Sequence, residues 1–180
     1  MLYTRLMSLD RDPNAVEANA ASAVVVGRIA AFDVGDKRIG VALSDPLGNA
    51  HPLLTIYRKT PRADIKSVGR ILRKHEVAEA VVGNPLNMSG EVGPRALKAQ
   101  AFAEQLRAEF GIAVHLMDER LTTWEAHRIL DESGQVRRTP ADRRDRKHII
   151  DQVAAVLILQ AFLECRANEA ARATVATADQ

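Results

Sequence analysis

The chain has 180 residues, 47% of them apolar and 27% charged, with 25 Lys and Arg against 23 Asp and Glu and a formal net charge of +2. That is room for one domain with a core of its own and hardly for two, and a charge so nearly balanced does not by itself announce a nucleic-acid partner. One cysteine, Cys165, excludes an internal disulfide and fits a reducing compartment.

Residues 1–26 begin polar and Ala/Asn-rich, and Arg5, Asp10, Arg11, Asp12 and Glu17 interrupt any apolar run. A secretory signal is therefore not expected, and the segment reads as a disordered tail. Strands are predicted over 29–34 and 39–44, joined by a Gly35-Asp36-Lys37-Arg38 turn, with a third over 52–57. Thr60 and Pro61 make a good helix opening, N-cap then first-turn proline, for a helix to about residue 75. A short strand follows over 79–83. Gly93 and Pro94 open a second helix that ends before Gly111, and 112–117 reads as a further strand.

Thr122 and Glu125 then have capping-box spacing for a helix that stops near 133–134. Residues 135–148 read as a basic loop and 149–165 as an apolar helix. That helix is interrupted by Gln160 and its apolar part, 153–163, is too short to span a bilayer. No membrane partner is expected, and a cytoplasmic location is. Residues 166–180, rich in Ala, Thr and charge, are expected to fray as a disordered C-terminal tail. The sum over 27–165 is an α/β domain with a mixed sheet, three meandering antiparallel strands followed by alternating helices and strands.

Three carboxylates stand out by context. Asp33 sits in the apolar strand IAAFDV and shares a face with Ile29 and Ala31. Glu119 lies just past an apolar strand, and Asp151 lies in the first turn of the most apolar helix. An ionised side chain in a half-buried strand needs compensation. A salt bridge from Asp33 to Lys37 or Arg38, exposure at the strand end, or a bound cation would each serve. Asp151 would also suit a helix N-terminus with no chemistry attached, and Glu119 would also pair with Arg120. If the three converge, hard oxygen donors select Mg²⁺ or Mn²⁺, and two such ions form the usual clamp for attack of water on a phosphodiester.

The stretch 135–148 carries Arg137, Arg138, Arg143, Arg144, Arg146 and Lys147 against Asp142 and Asp145, and it leads directly to Asp151. Beside a metal site such an arm would hold a phosphate backbone; otherwise it is a solvated loop. Asn87, in a polar loop, can bond a sugar, phosphate or base, or simply cap its own turn. His148, three residues before Asp151, lies on the same helical side. Gly35 and Gly40 have P-loop spacing, but Val41 stands where the lysine belongs, so there is no Walker A motif.

The set FDVGDKRIGVALSD, VVGNPLNMSG, DERLTTWEAHRIL and KHIIDQVAAVLILQAFLE resembles, in order, the motifs of the YqgF family, the pre-16S rRNA nucleases also described as RuvX-like Holliday junction resolvase homologues. The resemblance spans roughly 27–165. It implies an RNase H-like fold and a metal-binding catalytic triad of Asp33, Glu119 and Asp151, selecting Glu119 over its neighbour Asp118. The family's NMDG appears here as Asn87-Met88-Ser89-Gly90, one carboxylate fewer. The substrate contacts expected are Lys37, Arg38, Asn87, Arg120, Thr122, Arg143, Arg144 and Lys147.

The leading expectation is an endonuclease with a two-ion Mg²⁺ or Mn²⁺ site that acts on structured RNA and processes the 5′ end of pre-16S rRNA, as monomer or homodimer. The alternatives are a resolvase of four-way DNA junctions, which needs a dimer, and a non-catalytic nucleic-acid-binding assembly factor. An ATPase of the actin and sugar-kinase type would need a second domain of the same kind, for which 180 residues leave no room.

Overall fold

The structure, a computed structural model, describes residues 27–87, 91–118 and 140–178, with side chains in the last stretch described over 150–174. Chain order is β1 (Arg28–Val34), β2 (Arg38–Ser44), β3 (Ala50–Tyr57), α1 (Pro61–Lys74), β4 (Val77–Asn84), α2 (Pro94–Phe110), β5 (Ala113–Asp118) and α3 (Pro140–Ala178). The expected strands and the first two helices are all present, with ends moved by at most two residues. The capping-box helix expected after Thr122 lies outside the described residues.

Local chemistry sets most of these boundaries. The β1–β2 turn is closed by Gly35 N–H donating to the Arg38 carbonyl at 2.9 Å. Between β2 and β3 the Asp45 carboxylate accepts from the backbone N–H groups of Leu47 and Asn49 at 2.9 and 2.8 Å. Hydrogen bonds from the Asn49 and His51 side chains, with those backbone bonds adding less, hold the Asp45 carboxyl far below its ordinary range. Helix α1 opens as expected: Thr60 is the N-cap and its hydroxyl accepts from Ala63 N–H at 3.2 Å. Helix α2 ends at Gly111, whose φ of 63° is the left-handed conformation glycine adopts without cost.

The five strands form one sheet in the order β3-β2-β1-β4-β5. β2 runs antiparallel to β1 and β3, whereas β4 and β5 run parallel to β1 and to each other. The central strands are apolar on both faces because helices cover both. Ala30, Phe32, Ile39, Val41 and Val82 pack with Val68, Leu72, Phe102 and Leu106 of α1 and α2. On the other face Ile29, Ala31, Ala42 and Val81 pack with Ala155, Ile158 and Leu159 of α3.

Helix α3 corrects two expectations. Residues 140–148 are helical rather than part of a loop, and the helix continues past Cys165 to Ala178 instead of fraying. Nothing in the stretch breaks a helix: Pro140 sits at the helix start, where proline is favoured, and no Gly or Pro follows through residue 178. The alanine-rich stretch beyond Cys165 has high intrinsic helix propensity. It is also tied to the sheet, since both Arg166 terminal nitrogens bond the Glu79 carboxylate of β4, at 3.1 and 3.0 Å. No helix among the described residues is long and apolar enough to cross a membrane.

Candidate active site at the carboxyl edge of the central strands

Asp33 lies one residue before the end of β1, directly opposite Gly40 of β2 in the antiparallel register. Side chains alternate along a strand. Asp33 therefore shares the α3 face with Ile29 and Ala31, as the sequence pattern predicts. The same face of β2 carries Arg38, Gly40 and Ala42. Gly40 is where the helix comes closest: a β-carbon there would stand 1.9 Å from the Asp151 carbonyl oxygen and 2.6 Å from its carbon. Only a glycine lets the α3 backbone settle on the sheet at that point, and the contact sets Asp151 beside the strand that carries Asp33.

The electrostatic consequence is visible on Asp33, whose pKa is raised to about 6. Burial is the main cause and the nearby Asp151 carboxylate adds to it, while Arg95 at the start of α2 offsets part of the rise. A half-buried carboxylate beside a second one is a site short of positive charge.

Part of that charge comes from β2. Arg38 Nε donates to Asp151 Oδ2 in an ion pair whose side chains are 25% and 18% exposed. The bond raises the Arg38 pKa further. The adjacent basic pair thus supplies a partner for Asp151, an ion pair that spans 113 residues of sequence. Lys37 is exposed in the turn, where its carbonyl accepts from Arg58 N–H at 3.0 Å. Arg58 fastens the turn further, Nη1 to the Gly35 carbonyl and Nε to Asp64 Oδ2, both at 2.9 Å. From the other side Lys98 of α2 pairs with Asp36. The hairpin that presents Asp33 is thus clamped by both helices of the opposite layer.

The parallel neighbours end at the same edge. Asn84 closes β4 opposite Asp118 of β5. Met117 packs on the α3 side of the sheet, so alternation turns Asp118 to the α2 side, where Asn84 accepts from Gln100 of α2 at 3.3 Å. Asp118 is therefore not on the face that carries Asp33. Glu119, Arg120 and Thr122 lie outside the described residues. Arg143, Arg144, Lys147 and His148 belong to the first turns of α3, and their side chains are likewise outside the description. Asn87 is exposed. Its N–H donates to the Glu91 carbonyl at 3.0 Å, and its side-chain oxygen would stand 3.1 Å from a β-carbon at Gly93. Among the described residues no three His, Cys, Asp or Glu groups come together as a metal site. The described donors are Asp33 and Asp151.

Two contributors escape a reading of the sequence. Gly40 had a signal, a glycine inside an apolar strand, which marks a close approach of another backbone. Arg95 had one only through topology: α2 follows β4, so its first turn sits at the carboxyl edge beside β1.

A meander of three antiparallel strands continued by two parallel ones in the order 3-2-1-4-5, with the Asp33 and Asp151 carboxylates at the carboxyl edge of the first strand, is the mixed α/β frame of this site, and the relatives that share its sequence make the protein a nuclease. Residues 27–165 match the family model described as RuvX: Holliday junction resolvase, and the chain belongs to that family. A protein of Moorella thermoacetica named "Putative pre-16S rRNA nuclease" is 49% identical over 76% of this chain and 94% of its own length. One of the same name from Thermoanaerobacter pseudethanolicus is 44% identical over 79% of this chain and 99% of its own. Among solved structures, T. thermophilus RuvC in complex with a Holliday junction substrate aligns with a TM-score of 0.47 at 16% identity, covering 78% of this chain and 95% of that one.

Proposed function

We propose that the protein is a divalent-metal-dependent endonuclease of structured RNA that processes the 5′ end of pre-16S rRNA, with Asp33, Glu119 and Asp151 as its acidic residues. The observation that carries the reading is the Asp33 carboxylate, pushed to about 6 by burial and by Asp151 at the strand edge where Gly40 admits α3. Two carboxylates crowded this way fit a hard cation: its charge would remove the repulsion that raises Asp33, and their oxygens are the donors Mg²⁺ and Mn²⁺ prefer. When bound, the metal supplies activation of the attacking water and stabilisation of the departing oxygen. Glu119 is the expected third donor, a role favoured over Asp118 because Asp118 belongs to the opposite face.

The remaining roles fall to residues around that edge. Arg38 holds the Asp151 carboxylate through Nε and fixes its orientation. Arg95 places positive charge near Asp33 without bonding it, a position suited to a phosphate oxygen of the substrate. Lys37, Asn87, Arg120, Thr122, Arg143, Arg144 and Lys147 are the further substrate contacts proposed. The relatives' shared name favours pre-16S rRNA over junction DNA as the substrate.

The test sets a pre-16S leader and a four-way DNA junction side by side, with Mg²⁺ or Mn²⁺, for wild type, Asp33→Asn and Asp151→Asn. Wild type is expected to cut the leader and both variants to lose the activity. Cleavage of the junction alone would transfer the assignment to a resolvase working as a homodimer. Normal cutting by both variants would remove the catalytic assignment, and tight binding with no cleavage by clean protein would leave an assembly factor.

A further inference from the structure

Seven of the chain's 25 basic residues fall in the 17 residues 58–74: Arg58, Lys59, Arg62, Lys66, Arg70, Arg73 and Lys74. The only acid among them, Asp64, is 2% exposed and is closed off by Arg58 Nε and the Lys59 N–H. What α1 shows to solvent is therefore cationic throughout. Arg62, Lys66, Arg70, Arg73 and Lys74 are all exposed, and none of them is in an ion pair among the described residues. Arg62, Lys66, Arg70 and Arg73 are spaced by four, four and three residues, which places them in one row along the helix. The row is about 16 Å long at 1.5 Å per residue.

An ordinary solvated face mixes signs, as α2 does: its Arg95, Lys98 and Arg107 share the helix with Glu104 and Glu109. Like charges at these spacings cost a helix stability; the macrodipole accounts for Arg73 and Lys74 in the last turn, but not for Arg62 in the first turn or for Lys66 and Arg70 between them. The row also borders a groove of about 1030 Å³ between α1 and α2, lined by Arg62, Lys66 and Arg73 on one side and Gln105 and Glu109 on the other. The groove is shaped by Gly69, where a β-carbon would stand 2.7 Å from the Phe110 ring. Its end at Thr60 and Pro61 lies at the same edge as the candidate site. Helix α1 follows directly on β3, whose last residue, Tyr57, pairs with Arg38, and Arg58 bonds the turn that follows Asp33.

We infer that the outer face of α1 is a second phosphate-backbone track, which holds the flank of a structured nucleic acid whose scissile strand lies at Asp33 and Asp151. This rests on the nuclease reading above and extends it to a long substrate that passes over the rim at Lys37 and Lys59 onto the far face. Repeating phosphates complement an acid-free row of cations, and such contacts add affinity without sequence preference.

The test uses the full chain carrying Asp33→Asn, so that binding is read without cleavage. Arg62→Gln, Lys66→Gln, Arg70→Gln and Arg73→Gln are added together. Two RNA hairpins serve as probes, one with a stem of about one helical turn and one with a stem of about two turns. With the long hairpin, affinity near 0.15 M salt should fall at least about 10-fold, and the slope of log affinity against log salt should flatten by roughly 3. The short hairpin should keep its affinity within about 2-fold. A control that keeps the charge, Arg62→Lys with Arg70→Lys and Arg73→Lys, should keep the wild-type slope, and circular dichroism should show α1 intact in both variants. Equal weakening of both hairpins, or of neither, overturns the proposal, as does loss of the slope in the lysine control. If the wild-type protein cuts no RNA with metal present, the catalytic reading fails on its own, while the slopes still decide the track.

Discussion

The two faces of the sheet are packed by different rules. Towards α1 and α2 the strands present Phe32, Ile39, Val41 and Leu43, and the helices answer with Phe102 and Leu106. The Phe32 and Phe102 rings meet edge to face with centroids 5.9 Å apart. Towards α3 the sheet presents Ile29 and Val81 but, nearer the edge of β1 and β2, only Ala31, Ala42 and Gly40, so small that the helix backbone rests on the sheet at Asp151. The deep layer buries large side chains and so carries most of the apolar stabilisation. The shallow layer buries less but sets a distance, the one between two carboxylates at the sheet edge. On the proposed function, stability and chemistry fall to opposite faces, and substitutions on each face should separate them.

Asp33→Asn separates them most widely. Cleavage should fall on the order of 1000-fold or more, about 4 kcal/mol of lost transition-state stabilisation. The metal-free protein should at the same time become more stable at pH 8. In the folded protein the Asp33 pKa is about 6, against a reference value of 3.8. Below about pH 4 the group is protonated in both states and contributes nothing. As the pH rises from 4 to 6 the unfolded chain ionises first, and above 6 the full penalty is present, about 3 kcal/mol at most. Denaturant melts in chelator should show wild type losing stability over that window and Asp33→Asn losing less. Adding Mg²⁺ at pH 8 should stabilise wild type more than the variant. A wild-type curve flat between pH 4 and 7 would remove the electrostatic account.

Phe32→Ala acts on the deep face of the neighbouring position. Removing a fully buried phenyl ring should cost about 3–5 kcal/mol. The protein that remains folded should keep its turnover number under conditions where it is stable, because the α3 contact is untouched. Chemical denaturation and cleavage on one preparation decide this.

Gly40→Ala is the converse. The added methyl would meet the Asp151 carbonyl, a backbone atom with no rotamer to escape through, so α3 must lift. Overpacking of this kind costs about 1–3 kcal/mol. The displacement of Asp151 should lower cleavage by about 100-fold, since an error near 1 Å is enough for that. If Gly40→Ala lost stability but cut at the wild-type rate, the close approach would not be what positions Asp151.

These contrasts also show what was legible in advance. The strands and first two helices follow from alternation, caps and breakers, all of them local, and they match to within two residues. Asp33 was legible because a carboxylate in an apolar strand is a local anomaly. The Arg38 partner was not, because the bond to Asp151 crosses 113 residues and depends on how α3 lies over β2. Charge density misled at 140–148, where a run of Arg, Lys and Asp resembles a solvated loop although no residue after the opening proline breaks a helix. Arg95 belongs to the same class as Arg38: its place beside Asp33 is a property of the topology, with no mark in its own neighbourhood.

Thr60→Ala has the smallest expected effect and tests the independence of the two faces. Thr60 caps α1 through a single bond to the Ala63 N–H at 3.2 Å, and losing such a cap typically costs about 1 kcal/mol. For a chain of this size that is a drop in Tm of roughly 2–4 °C. The loss should be uniform with pH, because the bond involves no titrating group and the burial of Asp33 depends on α3 rather than on α1. The stability curve of Thr60→Ala should therefore run parallel to that of wild type between pH 4 and 7. A changed slope would mean that α1 is coupled to Asp33 through the Arg58 clamp on the hairpin turn, and that the two layers do not act separately.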